Sequence, residues 1–314
     1  MLSERASQMV VFAALVKHKN FSLAAKSLGV SASHVSKKLV QLETSLGIKL
    51  IERTTRAFTP TLAGLRFYDH CADLLTIVSN AELEVESQRE EVSGVMRLGL
   101  SQSFGTLHII PAIESLRKRY PELDVEVHLF DYQVDMLEEG LDLWVTNNEC
   151  IPQGYVAQRV ADSKFVAVAS PEYLVNHKAP CEPNDLKHHN CLIYRGWKRH
   201  YNGWAFSKSN QHLNVRVSGN YTVDLAEAIR DAAIAGWGIA YLATYLLKDE
   251  FKNGQLIQLL PDWQASQNMP FYAVYPSRRY LPKKTQAVIE FIKEKIGTPC
   301  YWDEYLDAHI RYPQ

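Results

Sequence analysis

Cysteine is sparse in this sequence: 314 residues hold five, Cys71, Cys150, Cys181, Cys191 and Cys300, at irregular spacing. An odd, unpatterned set argues against a disulfide framework. With no Cys-x-x-Cys pair, His188, His189 and Cys191 are too small a group for a zinc site. Long apolar runs are missing too. No stretch reaches the roughly 18 uninterrupted apolar residues of a membrane span. The opening residues lack the basic segment, apolar run and small-residue cleavage site of a signal peptide. A cytoplasmic location with no membrane partner is therefore expected. There is also no G-x-S-x-G nucleophile elbow and no P-loop, so hydrolase and nucleotide-dependent chemistry have no local signature. No enzyme, metal or cofactor is expected.

What is present is a chain 46% hydrophobic and 22% charged, enough to bury the cores of two or three domains. Its net charge of -1 conceals a division. Residues 1–60 carry nine Lys and Arg against three acids, whereas the remaining 254 carry 25 against 32. A basic segment that meets a polyanion, attached to a body that does not, has this asymmetry.

The basic segment reads as three short helices. Met9, Phe12 and Val16 mark one buried stripe, and Leu23 to Leu28 forms a second helix that Ser22 can cap. Gly29 permits a sharp turn, Val30 is expected to plug it, and Ser31 can cap a third helix ended by Gly47. In that helix Val35, Leu39, Leu42 and Leu46 point inward at helical spacing. At about 100° per residue, Ser33 and Lys37 then lie opposite the stripe, with His34 and Ser36 beside them. Ile48 to Phe58 suits a two-stranded wing with a basic tip, and Thr61 can cap a long helix. In that helix Tyr68, Cys71, Leu75, Val78 and Val85 follow a 3.5-residue repeat, the spacing of a helix that pairs with a second copy. A helix packed on its own domain gives a similar stripe.

From Val95 the pattern becomes strands alternating with helices. "VMRLGLS", "TLHIIPAIESLRKRY", "DVEVHLFD", "VDMLEEG" and "LDLWVTN" give a βαβαβ start and favour a parallel sheet. A second set runs from "KFVAVAS" to "LIQLLPDW", and "FYAVYPS" with "KKTQAVIEFIKEKIG" returns to the first. The fold class expected is α/β with two lobes, crossover segments near residues 161–164 and 264–269, and a cleft between the lobes. Residues 298–314 have no clear assignment.

The stretch "FSLAAKSLGVSASHVSKKLVQLETSLGIKLIERTTRAFTPTLAG" resembles the LysR-type transcriptional regulators, and looser similarity continues through "AAIAGWGIAYL" and "YPSRRYLPKK". The resemblance implies a winged helix-turn-helix (1–60), a dimerising linker helix (61–91) and a two-lobed effector domain like that of periplasmic binding proteins (92–297). Lobe I would take 92–162 and 267–297, and lobe II 163–266. It implies as partners double-stranded promoter DNA, a small-molecule effector, further copies of the chain in a homodimer or homotetramer, and RNA polymerase.

In such a protein the second helix of the motif enters the major groove. The DNA-facing residues expected are Ser31, Ser33, His34, Ser36, Lys37 and Lys38 on the helix, and Arg53, Thr54, Thr55 and Arg56 on the wing. Lys37 stands where many relatives carry Arg, and an ammonium does not reproduce Arg's two-pronged contact with guanine. Effector contacts are expected at Ser101, Gln102, Ser103 and Phe104, at Thr146 and Asn147, and at Tyr221, Thr222 and Val223. The serines serve equally as helix caps. Thr146 stands where Arg is frequent in similar proteins, which points to a modestly polar or aromatic ligand rather than a strongly anionic one. Gly236 and Gly238 read as packing glycines. A cytosolic solute-binding module or a thiol-redox sensor are the competing readings, the latter needing a reactive thiol with a partner.

Overall fold

The computed structural model describes residues 2–54, 57–87, 91–196, 199–277 and 281–307 and divides the chain into two compact units, 1–89 and 90–314. In the first unit α1 (Leu2–His18), α2 (Phe21–Ser27) and α3 (Ala32–Leu46) precede β1 (Ile51–Thr54), β2 (Ala57–Pro60) and the long α4 (Leu62–Ser87). Asn20, not Ser22, caps α2, its Oδ1 accepting from the Ser22 and Leu23 amides at 2.8 and 3.0 Å. Asn is as strong a cap as Ser, and it stands just before the helix. Ser31 caps α3 as expected, and Gly47 ends it at φ +69°.

Phe12, Leu15, Val35, Leu39, Leu42 and Leu50 form the buried core of this unit. Val30 and Leu46 do not join it: Val30 is exposed at the turn, and Leu46 is 39% exposed because Glu43 takes the inward position of the last turn. β1 and β2 pair antiparallel as the expected wing, with Arg53 opposite Phe58. Thr61 ties wing to helix, its hydroxyl donating to the Lys49 carbonyl at 2.9 Å and accepting from the Gly64 amide at 3.0 Å. A Cβ at Gly64 would lie 2.0 Å from the Leu50 carbonyl oxygen, so only glycine allows this approach.

The second unit opens with β3 (Gly94–Ser101), α5 (Gln102–Phe104), α6 (Ile113–Arg119), β4 (Leu123–Phe130), α7 (Met136–Glu139), β5 (Leu143–Thr146) and the 15-residue β6 (Tyr155–Ala169). It continues with α8 (Pro171–Asn176), β7 (Ile193–Gly196), β8 (Arg199–Tyr201), β9 (Gly203–Lys208), β10 (Gln211–Arg216) and β11 (Thr222–Val223). Then come α9 (Ala226–Ile234), β12 (Ala240–Ala243), β13 (Ile257–Gln258), β14 (Gln264–Ala265), β15 (Asn268–Pro276), α10 (Lys283–Ile296) and α11 (Tyr301–Asp307).

β3 pairs in parallel with β4 and β5, the βαβαβ start read from the pattern. β15 returns antiparallel to β5, so the main sheet runs β12-β6-β15-β5-β3-β4, with β13 also on β6. The length of β6 joins the lobes: its first part pairs with β15 beside β5, and its last part pairs with β12. The ladder between β6 and β15 slips between Phe271 and Tyr272. Across the second lobe Gly238 brings the backbone onto Asn190; a Cβ there would lie 2.3 Å from the Asn190 carbonyl oxygen, which gives this glycine the packing role expected.

α11, which no sequence pattern announced, is docked on this crossover. The Trp302 side chain is buried, and its Nε1 donates to the Asp162 carbonyl at 3.1 Å. A buried chain of hydroxyls runs from Ser163 on β6 to Thr244 (2.9 Å) and from Thr244 to Asp303 of α11 (3.0 Å). His108 bonds the Tyr301 hydroxyl through Nδ1 and the Tyr245 carbonyl through Nε2. Burial pushes its imidazole down to about 4, outweighing the Tyr245 carbonyl, which favours the protonated form.

Candidate functional site

The outward face of α3 carries the first candidate site. With Val35, Leu39 and Leu42 buried, Ser33, His34 and Lys37 are exposed and Ser36 is half-buried. Ser31 spends its oxygen on the cap, accepting from the His34 amide at 3.2 Å, and lies 2.9 Å from the Ser33 hydroxyl. Lys38 departs from expectation: one position round the helix from Lys37, it turns toward α1 and pairs with Glu4 at 2.7 Å. Val40, 47% exposed, stands about one turn beyond Lys37 and joins this face, a place that the inward set Val35, Leu39, Leu42 and Leu46 leaves to it. Of the wing candidates, Arg53 and Thr54 lie on β1 in register with Phe58 and Ala57, while Thr55 and Arg56 lie outside the described residues.

Glu43 fixes how the wing leaves this helix. Its buried carboxylate accepts from the Leu50 and Ile51 amides at 2.9 and 3.2 Å and pairs with Lys49 at 2.7 Å. Burial alone would raise this carboxyl. The hydrogen bonds from Lys49, Leu50 and Ile51 outweigh it and hold the group below the usual range.

The stripe on α4 divides. Cys71 is fully buried in its own unit, and Tyr68 and Leu75, each partly buried, pack against the same core. The physical reason is α1, which lies against this part of the helix and brings the Phe12 ring to within 5.6 Å of Phe67. Val78 (48%) is exposed, together with Leu62, Leu65 and Ile77; the Val85 side chain lies outside the described residues.

The second unit holds a cavity of about 350 Å³ between its lobes. Six expected residues line it: Ser101, Gln102, Ser103, Phe104, Thr146 and Asn147. Tyr221, Thr222 and Val223 do not. Thr222 and Val223 form β11 beside Ile193 and Tyr194 of β7, and Tyr221 stands edge-on to Trp237 at 5.1 Å. These residues back Tyr194, which does line the cavity, instead of reaching it themselves.

The lining that the sequence reading missed includes residues of β6, α9, β12 and β15, among them Phe165, Ile229, Tyr241 and Phe271, and two further groups. Phe130, Asp131, Tyr132 and Gln133 leave the C-terminal end of β4 just as Ser101 to Phe104 leave β3 and Thr146 to Asn148 leave β5. Ligand crevices in parallel α/β sheets lie at these ends, so the position was findable. Tyr194 and Tyr201, paired across β7 and β8 with rings 5.7 Å apart, belong to a hairpin whose strands had no clear alternation. Phe104 stacks on Phe271 at 3.9 Å and meets Trp302 edge-on at 6.0 Å, so α11 backs the cavity wall.

The polar groups are modestly bonded. The Ser101 hydroxyl is 3.4 Å from Asn147 Oδ1, Thr146 accepts from the Asn148 amide at 3.1 Å, and the Ser103 hydroxyl donates to Glu227 from α9. Burial, with Glu227 and Tyr194 nearby, pushes the Tyr245 hydroxyl up against a hydrogen bond from Ser103, which keeps the phenol protonated. Thiol chemistry finds little support. Cys71 and Cys191 are buried and pushed up to about 12, and burial also raises Cys300, so these three stay as poorly nucleophilic thiols. Cys150 and Cys181 are exposed. Among the described residues no helix is long and apolar enough to cross a membrane.

A three-helix unit with a wing, followed by two lobes around a ligand-sized cavity, defines a DNA-binding regulator that carries a sensor for small molecules. Comparison with known proteins agrees. Residues 6–65 match the bacterial regulatory helix-turn-helix protein model of the lysR family, and residues 89–297 match the LysR substrate binding domain. The chain is 30% identical to the transcriptional activator TtdR of Escherichia coli over 298 residues, 94% of this chain and 96% of that one. Its fold matches the LysR-type regulator CrgA of Neisseria meningitidis with a TM-score of 0.60 at 27% identity, covering 93% and 98% of the two chains. It also matches the Vibrio cholerae virulence activator AphB with a TM-score of 0.60 at 22% identity, covering 91% and 97%. This chain belongs to the LysR family: it is a transcriptional regulator with a helix-turn-helix and an effector-binding domain.

Proposed function

We propose that α3 reads promoter DNA through Ser33, His34, Lys37 and Val40, that the wing steadies the phosphates with Arg53 and Arg56, and that a small molecule in the cavity modulates this binding in the cytoplasm. Residues 1–60 serve as the DNA-binding domain, 61–91 as the linker, and 92–162 with 267–297 and 163–266 as the lobes. The observation that carries the reading is the exposed polar face of α3, held outward by the buried Val35, Leu39 and Leu42. A helix presented this way fits the major groove, where its first turns meet base edges and a valine can meet a thymine methyl. The exposed apolar residues Leu62, Leu65, Ile77 and Val78 on α4 support assembly with a second copy.

Sequencing the DNA bound by the intact protein identifies the operator; recovery of random genomic fragments would favour the solute-binding alternative. On that operator, Lys37→Ala is expected to weaken binding roughly tenfold, the worth of one good groove contact. The oligomeric state should not change. If Lys37 meets a phosphate instead, the loss is uniform across sequences and the salt slope falls by about one. Unaltered affinity at controlled salt would remove Lys37 from the interface.

A further inference from the structure

Beside the cavity between the lobes lies a second one, of about 280 Å³. Phe130 to Gln133 line the first and Gln133 to Met136 the second, so one stretch of chain separates them and Gln133 belongs to both. The walls of the second are mainly apolar. Val134, Met136 and Val274 supply them from the same buried cluster as Trp144, which stands on β5 opposite Val274 of β15.

Trp144 lines this second cavity and is 2% exposed, and its Nε1–H has no acceptor among the described residues. The two other large buried tryptophans are satisfied: Trp204 donates to the Tyr201 carbonyl at 3.3 Å and Trp302 to that of Asp162 at 3.1 Å. A buried donor left unpaired is costly, so this exception calls for a cause. A trapped water would need two or more polar partners. Two polar side chains of the lining are spent on their own segment: Gln133 Nε2 donates to the Cys150 carbonyl at 3.3 Å, and Asp135 Oδ1 accepts from the Leu137 and Glu138 amides at 2.9 and 3.1 Å.

An indole N–H only donates, so whatever satisfies it must offer a lone pair. An ammonium has none. A carboxylate has, but Asp135 on the same lining repels it, and no Lys, Arg or His stands among the described lining residues to offset the charge. A carbonyl on an apolar body meets both demands: its oxygen takes the N–H while its carbon frame packs on Val134, Met136 and Val274.

We propose that this second cavity is a binding site for a small uncharged molecule with a carbonyl oxygen, held by Trp144 Nε1–H and packed against Val134, Met136 and Val274. The site is separate from the cavity between the lobes and does not depend on the reading of that cavity as the effector site. Its volume lies just below the roughly 300–1,000 Å³ of common ligand pockets, which restricts the occupant to a compact body.

Acetophenone, benzoate and benzylammonium are close in size and differ in charge. Calorimetric titration of full-length Ala226→Phe, in which a ring fills the first cavity, reports the second alone. Acetophenone should bind about tenfold tighter than either ion, because the ions must shed their hydration in an apolar site. Adding Trp144→Phe, in protein that keeps the unfolding transition of its parent, should weaken acetophenone about fivefold, the worth of one hydrogen bond. In Ala226→Phe carrying nitrogen-15-labelled tryptophan, one of the six indole N–H resonances should move downfield as acetophenone is added, a readout that leaves Trp144 in place. Benzoate or benzylammonium binding best overturns the uncharged class. Acetophenone that binds wild type but not Ala226→Phe belongs to the first cavity and overturns the second site, as does an affinity unmoved by Trp144→Phe. No binding by any probe, with every indole resonance unmoved, leaves Nε1–H to a trapped water and overturns the proposal.

Discussion

Trp302→Ala is expected to lower the stability of the second unit by about 3–5 kcal/mol, the cost of emptying a buried indole site. Trp302 is among the largest fully buried side chains of the chain. It meets His108 at 4.7 Å and Phe104 at 6.0 Å, and it donates to the Asp162 carbonyl. Trp302→Phe keeps most of the contact and should cost less, about 1 kcal/mol for the lost hydrogen bond plus repacking. Denaturant unfolding of the two variants decides the matter; equal, small effects would mean that α11 is a loosely held appendage. Because Phe104 stacks on Phe271 inside the cavity, the alanine variant should also weaken the stabilisation conferred by a cavity ligand.

The same docking predicts a response to acid. His108 has an ordinary value of 6.5 and a folded value of about 4, so between these the unfolded chain binds more protons. Its contribution is complete above pH 6.5, falls as the pH drops toward 4, and is gone below that. The full span corresponds to about 3 kcal/mol. His108→Asn should flatten this part of the profile of stability against pH. A slope unchanged by the substitution would assign the acid response to other groups.

Glu43→Ala is the second large effect expected, about 2–4 kcal/mol from the first unit, because two amides of the wing lose their buried acceptor together. The Lys49 pair adds little, since that side chain is 74% exposed. The loss should show as unfolding of the first unit at lower denaturant and as weaker operator binding, since Leu50 and Ile51 lead directly into β1. Glu43→Gln retains one acceptor oxygen and should recover part of both. If Glu43→Ala moves neither, the turn into the wing is held by Thr61 and Gly64 alone.

Much of this was legible in the chain. Helical spacing located α3 and its inward residues, and the strand ends at Ser101 and Thr146 located one wall of the cavity. What failed did so for definable reasons. Periodicity cannot separate a helix face turned to its own domain from one turned to a partner, so Cys71 looked like an interface residue until Phe12 and α1 were seen beside it. Tyr221 to Val223 were expected at the cleft, but Thr222 and Val223 form β11, a strand too short to alternate and so without a pattern of its own. Glu43 sat unremarked because a buried carboxylate is recognisable only by the amides that return to it from Leu50 and Ile51. The tail gave no signal because Trp302 and Asp303 find partners at Asp162 and Thr244, far away in sequence.

The long β6 has a mechanical consequence. A strand that belongs to both lobes leaves no slack between them, so they cannot separate by paying out linker. What a two-stranded ribbon yields most readily is twist, and the β6–β15 ladder already slips at Phe271. A ligand in the cleft is therefore expected to be felt as a change of angle rather than of length, and Phe271, which lines the cavity and sits at the slip of the ladder, belongs to both.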